Sequence, residues 1–217
     1  ASGYYRKFRG LLAIALRDKL LQENINLYLD RIDVKPNKIE YLTQQELLNL
    51  SKAPCEIPVL KKASLFSCLT GLRYSDVQRL EWRNIVPNLD RTGYNIRTRT
   101  KKTQAEISLP LSPDALELCG ERSDGVVFIG LNRNMLNTPL RRWISEAGIT
   151  KHITFHSFRH TYAVLQLASG TDIYTVSKML SHKHVTTTEI YLDLLEETKS
   201  KTIGRIQIHK DHDPDAA

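Results

Sequence analysis

The chain has 217 residues, 41% of them apolar, which is long enough for one or two domains with a hydrophobic core. Lysine and arginine outnumber aspartate and glutamate by 31 to 24, and the net charge of +7 favours a polyanionic partner such as nucleic acid. No apolar run approaches the roughly 18 residues of a membrane span, and three cysteines without a CxxC pair argue against a disulfide framework and a zinc cluster, so we expect a cytoplasmic protein without a membrane partner.

The N-terminal region is predicted to contain two helices joined by a linker. Apolar residues at helical spacing predict a first helix over residues 4–29. The extended stretch DRIDVKPNK then predicts a linker that ends the segment near Pro36. Thr43 and Glu46 form a capping box, in which each side chain satisfies a backbone amide of the other residue, and this predicts the start of a second helix.

The next stretch changes from a helical to an extended pattern. The apolar run of residues 59–69, closed by Gly71, predicts a buried third helix, and Ser75 is expected to cap a short fourth one. Residues 94–98 and 107–109 then alternate between apolar and polar side chains around a basic turn. This period of two predicts a β-hairpin with a basic tip.

The remainder is predicted to be mostly helical. Pro113 begins one helix, residues 126–129 form a short strand, and residues 138–147 form another helix. A longer helical region with two breaks is expected from residue 157 to the end of KTIG.

The sequence HSFRH, residues 156–160, places His156, Arg159 and His160 on one side of a helix. A metal-binding helix would have a glutamate beside the first histidine and a third ligand nearby, whereas an arginine on the shared face disfavours a cation. A guanidinium has two parallel donors that match a phosphate, and a histidine can add another. The pattern favours an anion as ligand, although an exposed helix face without a function also fits it.

Two further segments carry basic residues in suggestive positions. TGLRYSD, residues 70–76, places Arg73 between a helix-ending glycine and a new helix start, where backbone amides favour anions. The hairpin tip presents Arg97, Arg99 and Lys101 on one face and Lys102 on the other. A solvated turn needs no function, yet a hairpin can enter a groove and place a lysine against a backbone phosphate.

The segment LSHKHVTTTEIY, residues 180–191, places His182 at a helix break and Tyr191 nine positions later. Taken alone, a tyrosine is more often a packing residue than a reactive one. In their order along residues 35–200, however, these segments resemble the tyrosine recombinase (phage integrase) family. The resemblance implies an α+β fold: a mostly helical catalytic domain with a small antiparallel three-stranded sheet that includes the β-hairpin.

The resemblance assigns six catalytic positions. TGLRYSD matches the first arginine motif of the family, which gives Arg73 that role and Asp76 the nearby acidic position. HSFRH matches the H-x-x-R box and contributes His156 and Arg159. The remaining positions are the hairpin lysine Lys102, seven residues before Leu109, and His182 and Tyr191 of the closing motif. Ser181 departs from the family, which often has glycine before this histidine.

The implied chemistry is attack of the Tyr191 oxygen on a DNA phosphodiester. Arg73, Arg159 and His182 are expected to stabilise the charge that builds on the non-bridging oxygens. His156 is expected to remove the tyrosine proton, because the ordinary pKa of a tyrosine is about 10.

Lys102 is expected to protonate the departing 5′ oxygen as general acid. The resemblance implies a 3′-phosphotyrosyl intermediate, which a 5′ hydroxyl of a partner strand then attacks. No cofactor and no metal are expected, since arginines supply the positive charge and the chain has no phosphate-binding G-x-x-x-x-G-K-[ST] loop. His160 has no matched catalytic role and is expected to contact DNA or to pack.

The expected partner is double-stranded DNA, bound as a homotetramer, with a monomer possible for the free protein. Arg97, Arg99 and Lys101 are predicted to contact phosphates without reading the DNA sequence. The amphipathic segment after Tyr191 is compatible with packing against a neighbouring subunit or against its own chain.

The resemblance also predicts the domain organisation and the setting. Residues 1–35 are expected to be the last helix of a truncated core-binding domain plus a linker, and residues 36–217 the catalytic domain with a C-terminal tail. Ala1-Ser2-Gly3 is interpreted as a cloning remnant. We expect a bacterial, nucleoid-associated recombinase of a mobile element. The alternatives are strand relaxation like that of a type IB topoisomerase and a non-catalytic DNA-binding module of the same fold.

Overall fold

The computed structural model describes residues 2–30, 39–88, 92–99 and 106–195. Contacts between Cα atoms divide the chain into two compact units, residues 1–38 and residues 39–217. Within the described ranges, no helix combines the length and the apolar character that crossing a membrane requires.

The first unit consists of helix α1 (Ser2–Arg17) and a short 3-10 helix (Ile25–Leu27). Arg9 and Asn26 join the two, since the Asn26 side chain donates to the Arg9 carbonyl oxygen over 3.0 Å. The prediction of a continuous helix over residues 4–29 is wrong beyond Arg17. Lys19 adopts a left-handed conformation with φ of 60°, which reverses the chain and ends the helical hydrogen bonding.

The second unit begins with two helices whose ends match the sequence signals. Helix α2 (Gln44–Lys52) has the predicted capping box, with Glu46 N donating to Thr43 Oγ1 over 3.2 Å and Thr43 N donating to the Glu46 carboxylate over 2.7 Å. Helix α3 (Pro58–Thr70) is buried along most of its length and ends at Gly71, as predicted. The short helix α4 (Tyr74–Val77) starts after Arg73, so Ser75 lies inside the helix and not at its cap.

An antiparallel sheet of three strands packs on this helical core. Its strands, in spatial order, are β1 (Ile85–Pro87), β2 (Tyr94–Arg99) and β3 (Glu106–Leu111). Ile96 pairs with Ile85 on one side and with Leu109 on the other, and all three side chains are buried. The predicted hairpin is therefore confirmed, and so is the mostly helical α+β class with its three-stranded sheet.

The third strand is β1, so the predicted strand at residues 126–129 is wrong. In that segment only Val126 pairs, through a single antiparallel bridge to Glu81. Gly125 and Gly130 flank it in left-handed conformations, which leaves too little extended chain for a strand.

Further helices follow the sheet, and the one that begins at Phe155 packs against α3. They are α5 (Pro113–Cys119), α6 (Thr138–Glu146), α7 (Phe155–Ala168), α8 (Ile173–Met179) and α9 (Thr186–Glu189), followed by a 3-10 turn (Leu192–Leu194). The breaks predicted near residues 169–170 and 181–183 lie between these helices. Most of the predicted C-terminal amphipathic segment lies outside the described residues.

A second apolar cluster, separate from the main core, joins α7 to the segments that follow it. It contains Tyr162, Ala163, Val164, Leu167, Val176, Leu180, Tyr191 and Leu195. This packing brings the end of α8 and the turn at Tyr191 against α7, so residues distant in sequence meet beside the C-terminal end of α3.

Candidate active site

Arg73 lies in the turn between α3 and α4. Gly71 ends α3 with φ of 68°, and a Cβ atom at this position would lie 2.6 Å from Tyr162 Cδ1. Only glycine fits this turn without displacing a buried ring. The half-buried Arg73 that follows has one buried guanidinium nitrogen, Nη1, without a hydrogen-bond acceptor among the described residues.

Arg159 projects from α7 into the interior and is only 3% exposed. Its Nη1 donates to the Gly71 carbonyl oxygen over 2.6 Å, and its Nη2 donates to the carbonyl oxygen of Leu180. Burial, reinforced by the charge of Arg73, lowers the pKa of Arg159 to about 9, so the guanidinium stays charged at neutral pH. These bonds use two of the five guanidinium donors and fix the ends of α3 and α8 on α7.

Tyr191 precedes the last 3-10 turn, and its side chain is 2% exposed. Its hydroxyl lies 2.9 Å from Nδ1 of His160, and the two ring centroids are 5.5 Å apart. Burial raises the pKa of Tyr191, although the charges of Arg159 and Arg73 oppose the rise. The predicted nucleophile is therefore protonated at neutral pH and is held by a histidine.

That histidine is His160, and the assignment of His156 as the residue that removes the tyrosine proton stays a prediction. His156 is exposed in the first turn of α7, and its ring meets the His160 ring edge-on at a centroid distance of 4.5 Å. Burial and the charges of His156 and Arg159 lower the pKa of His160 to about 4. The available signal for His160 was its position one helical turn from His156, on the same face.

His182 follows α8, and its Nδ1 lies 2.8 Å from the hydroxyl of the buried Thr188. Burial, together with the charges of Arg159 and Arg73, lowers the pKa of His182 to about 4. The preceding Ser181 has φ of 51°, a left-handed conformation that glycine adopts at lower cost. The departure from the family pattern at Ser181 thus falls where the backbone favours glycine.

The basic hairpin is described only in part. Arg97 and Arg99 are both exposed and lie on the face of β2 opposite the buried Ile96. Lys101 and Lys102 lie outside the described residues, so their assigned roles stay predictions. Asp76, the predicted acidic position, is buried, and its Oδ1 lies 3.6 Å from a guanidinium nitrogen of Arg79.

The three cysteines are free thiols. Cys68 and Cys119 are buried, which raises the pKa of both groups, to about 12 for Cys119. Across the described ranges, no group of three or more histidine, cysteine, aspartate or glutamate side chains is arranged to hold a metal ion.

Comparisons with known proteins identify the family and the fold of the chain. The model of the phage integrase family matches residues 40–198. Tyrosine recombinase XerD of Lacticaseibacillus casei is 29% identical over 154 residues, covering 62% of this chain and 51% of the relative. Tyrosine recombinase XerC of Actinobacillus pleuropneumoniae serotype 7 is 26% identical over 139 residues, covering 58% and 44%. The chain thus spans about half the length of these curated relatives.

Solved structures share the fold at lower identity. A lambda integrase (75–356) dimer bound to a COC′ core site superposes with a TM-score of 0.70 at 20% identity, covering 88% of this chain and 76% of the other. The Tn1549 transposon integrase (82–397) in complex with circular intermediate DNA gives 0.61 at 16% identity, covering 88% and 73%. With its family match over most of its length and this common fold, the chain belongs to the phage integrase family.

Proposed function

We propose that this chain is the catalytic part of a site-specific DNA recombinase that cleaves and rejoins strands through a 3′-phosphotyrosyl intermediate. The observation that carries the proposal is that the segments of four residues meet on α7. Arg159 donates to the carbonyl oxygens of Gly71 and Leu180, which lie two positions before Arg73 and His182, and Tyr191 packs against the same helix. Cations beside a tyrosine hydroxyl are the groups that phosphoryl transfer requires.

The roles follow from the chemistry of each group. The Tyr191 oxygen forms a bond to phosphorus while the bond from phosphorus to the 5′ oxygen breaks, so the phosphodiester energy is kept in the tyrosyl ester. Arg73 has a buried donor, Nη1, without an acceptor among the described residues, and this donor suits a non-bridging oxygen. Arg159 and His182 add positive charge and a ring donor. Lys102 is assigned to protonate the leaving oxygen. The reaction requires no metal, since the guanidinium groups supply the positive charge.

The partner is double-stranded DNA, bound as a homotetramer. The net charge of +7 supports this partner, as do the exposed Arg97 and Arg99 on one face of β2. Lys101, which lies outside the described residues, is predicted from the sequence to be a further phosphate contact. The lambda and Tn1549 integrases that share the fold are bound to a core site and to circular intermediate DNA, and the second belongs to a transposon. We assign the chain to a mobile element and to the bacterial nucleoid on this basis.

The same reasoning assigns the domains. Residues 1–35 form the last helix of a core-binding domain plus its linker, and residues 36–217 form the catalytic domain with its tail.

Covalent trapping tests the proposal. The protein is incubated in EDTA with a library of nicked duplexes of random sequence, and DNA that remains attached after denaturation is sequenced. Mass spectrometry of the attached peptide is expected to identify Tyr191, and the Tyr191→Phe variant is expected to yield no adduct. Attachment at another residue, or attachment that survives in the variant, would refute the assignment.

A further inference from the structure

We infer that the hydroxyl of Thr188 holds His182 in the tautomer with its proton on Nε2, so that the ring presents a hydrogen-bond donor to the phosphate, an inference that rests on the proposed function. Oγ1 of Thr188 lies 2.8 Å from Nδ1 of His182. Thr188 acts through the histidine ring and not on the reacting atoms, so it is a positioning residue for the reaction.

The direction of this hydrogen bond follows from the burial of the hydroxyl. Thr188 is 0% exposed, and within the described part of the chain its side chain has one hydrogen-bond partner, Nδ1 of His182. If Nδ1 carried a proton, the proton of the threonine hydroxyl would be buried without an acceptor among those residues, which is costly. The threonine therefore donates, and Nδ1 accepts.

This donation decides which nitrogen of His182 can face a substrate. Burial, together with the charges of Arg159 and Arg73, lowers the pKa of His182 to about 4, so the ring is neutral at pH 7. A neutral imidazole has one nitrogen that donates and one that accepts, so an accepting Nδ1 leaves the proton on Nε2. In the other tautomer, the lone pair of Nε2 would repel a non-bridging phosphate oxygen.

Backbone hydrogen bonds fix the residues on both sides of this contact. The His182 amide donates to the carbonyl oxygen of the buried Ser177 over 3.0 Å, which anchors it on α8. The Tyr191 amide donates to the carbonyl oxygen of Thr188, also over 3.0 Å. Thr188 thus contacts the His182 ring through its side chain and the Tyr191 backbone through its carbonyl oxygen. A substitution at Thr188 removes the first contact and leaves the second in place.

Cleavage by two variants of Thr188 tests this role. Thr188→Val keeps the shape of the side chain and removes the hydroxyl, whereas Thr188→Ser keeps the hydroxyl. The assay is single-turnover cleavage of a nicked duplex recovered by covalent trapping. Thr188→Val is expected to cleave about 10- to 100-fold more slowly than the wild type, at or below the cost of deleting one donor to the transition state. Thr188→Ser is expected to cleave at close to the wild-type rate.

Neighbouring and double variants are the controls. Thr187 is exposed beside Thr188, and Thr187→Val is expected to keep the wild-type rate. In a His182→Gln background, Thr188→Val is expected to cause no further loss, because the hydroxyl acts through the ring that is already absent. Equal slowing in Thr188→Ser and Thr188→Val, or a full additional loss in the double variant, would show a packing role and overturn the inference.

The tautomer is measured directly by NMR of protein labelled with ¹⁵N in its histidine rings. This measurement needs neither cleavage nor a variant at Thr188, and His182→Gln identifies the signals of His182 by removing them. At pH 7 we expect a proton on Nε2 and none on Nδ1 in the wild type, and a mixture of both tautomers in Thr188→Val. A proton on Nδ1 in the wild type contradicts the inference even if Thr188→Val does not fold. A tautomer that is unchanged in a folded Thr188→Val contradicts it as well.

The proposed function and the role of Thr188 fail in different ways. A Tyr191 adduct that forms equally fast in the wild type and in Thr188→Val overturns the role of Thr188 and leaves the proposed function standing. A wild-type protein that forms no Tyr191 adduct overturns the proposed function, and the role of Thr188 in the reaction with it.

Discussion

Gly71→Ala is the substitution whose cost the structure defines best. Gly71 has φ of 68°, and a Cβ atom there would lie 2.6 Å from Tyr162 Cδ1 and 2.7 Å from Leu180 Cδ2. Both neighbours are almost fully buried, and the tyrosine ring cannot bend away as a long flexible side chain would. The carbonyl oxygen of Gly71 also accepts a hydrogen bond from Arg159. One methyl group therefore disturbs the turn, the packing and an arginine contact.

The expected loss of folding free energy has two parts. A non-glycine residue in the left-handed region costs about 1 to 2 kcal/mol. Forcing an extra methyl group into a packed site costs a further 1 to 3 kcal/mol, roughly, because the neighbours must shift. The sum for Gly71→Ala is about 2 to 5 kcal/mol, a large share of the stability of an ordinary domain.

Gly148→Ala is the matched control. Gly148 also follows a helix and has a similar φ of 71°, but no described atom lies within 4 Å of its Cβ position. This variant is expected to lose only the backbone part, about 1 to 2 kcal/mol. The difference between the two variants measures the packing cost alone.

Urea unfolding followed by tryptophan fluorescence measures both variants. The two tryptophans, Trp82 and Trp143, are buried in the unit that contains both glycines, so their emission reports on its unfolding. If Gly71→Ala costs no more than Gly148→Ala, the close approach of Tyr162 and Leu180 to Gly71 does not constrain the site, and the reasoning is refuted.

Three further predictions concern the reaction and pH. Tyr191→Phe is expected to abolish covalent attachment and to leave DNA affinity nearly unchanged in a filter-binding assay, because only one oxygen is lost; a large loss of affinity would contradict this. Lys102→Ala is expected to slow cleavage of an oxygen-linked strand far more than that of a sulfur-linked strand. Equal slowing would exclude Lys102 as the general acid. The folded protein is expected to lose stability as the pH falls from about 6.5 toward 4, because the pKa values of His160 and His182 are lowered to about 4 and the unfolded chain binds protons first. The urea midpoint at pH 7 and at pH 5 measures this loss, and it should be smaller in His160→Gln.

Local signals predicted the helices well and the short strands poorly. The capping box at Thr43 and the glycine that ends α3 act through their own neighbours, so the sequence displays them. Strand β1 has three residues, too few to show an alternation of apolar and polar side chains. It pairs with β2 so that Ile85 lies opposite Ile96, a residue distant in the chain. Contacts between segments distant in the chain leave no such local pattern.

In the candidate site, too, the sequence predicted some features and not others. The order of the sequence segments predicted that Arg73, Arg159, His182 and Tyr191 act together, and this stays a prediction. The structure brings their segments together on α7. Which histidine meets the tyrosine was not predictable, because His156 and His160 share one helix face. The packing of the segment after α8 on α7 decides it, and that packing places the tyrosine hydroxyl against His160.

The two arginines differ in what their substitution can reveal. Arg159 donates to the carbonyl oxygens of Gly71 and Leu180, so replacing it breaks the contacts that fix α3 and α8 on α7 as well as removing charge. A loss of cleavage in an Arg159 variant therefore mixes folding with chemistry. Arg73 has a buried Nη1 with no acceptor among the described residues, so its removal deletes charge and a donor while breaking no hydrogen bond at that atom. Arg73 is thus the position at which a loss of cleavage measures the contribution of a cation to the transition state.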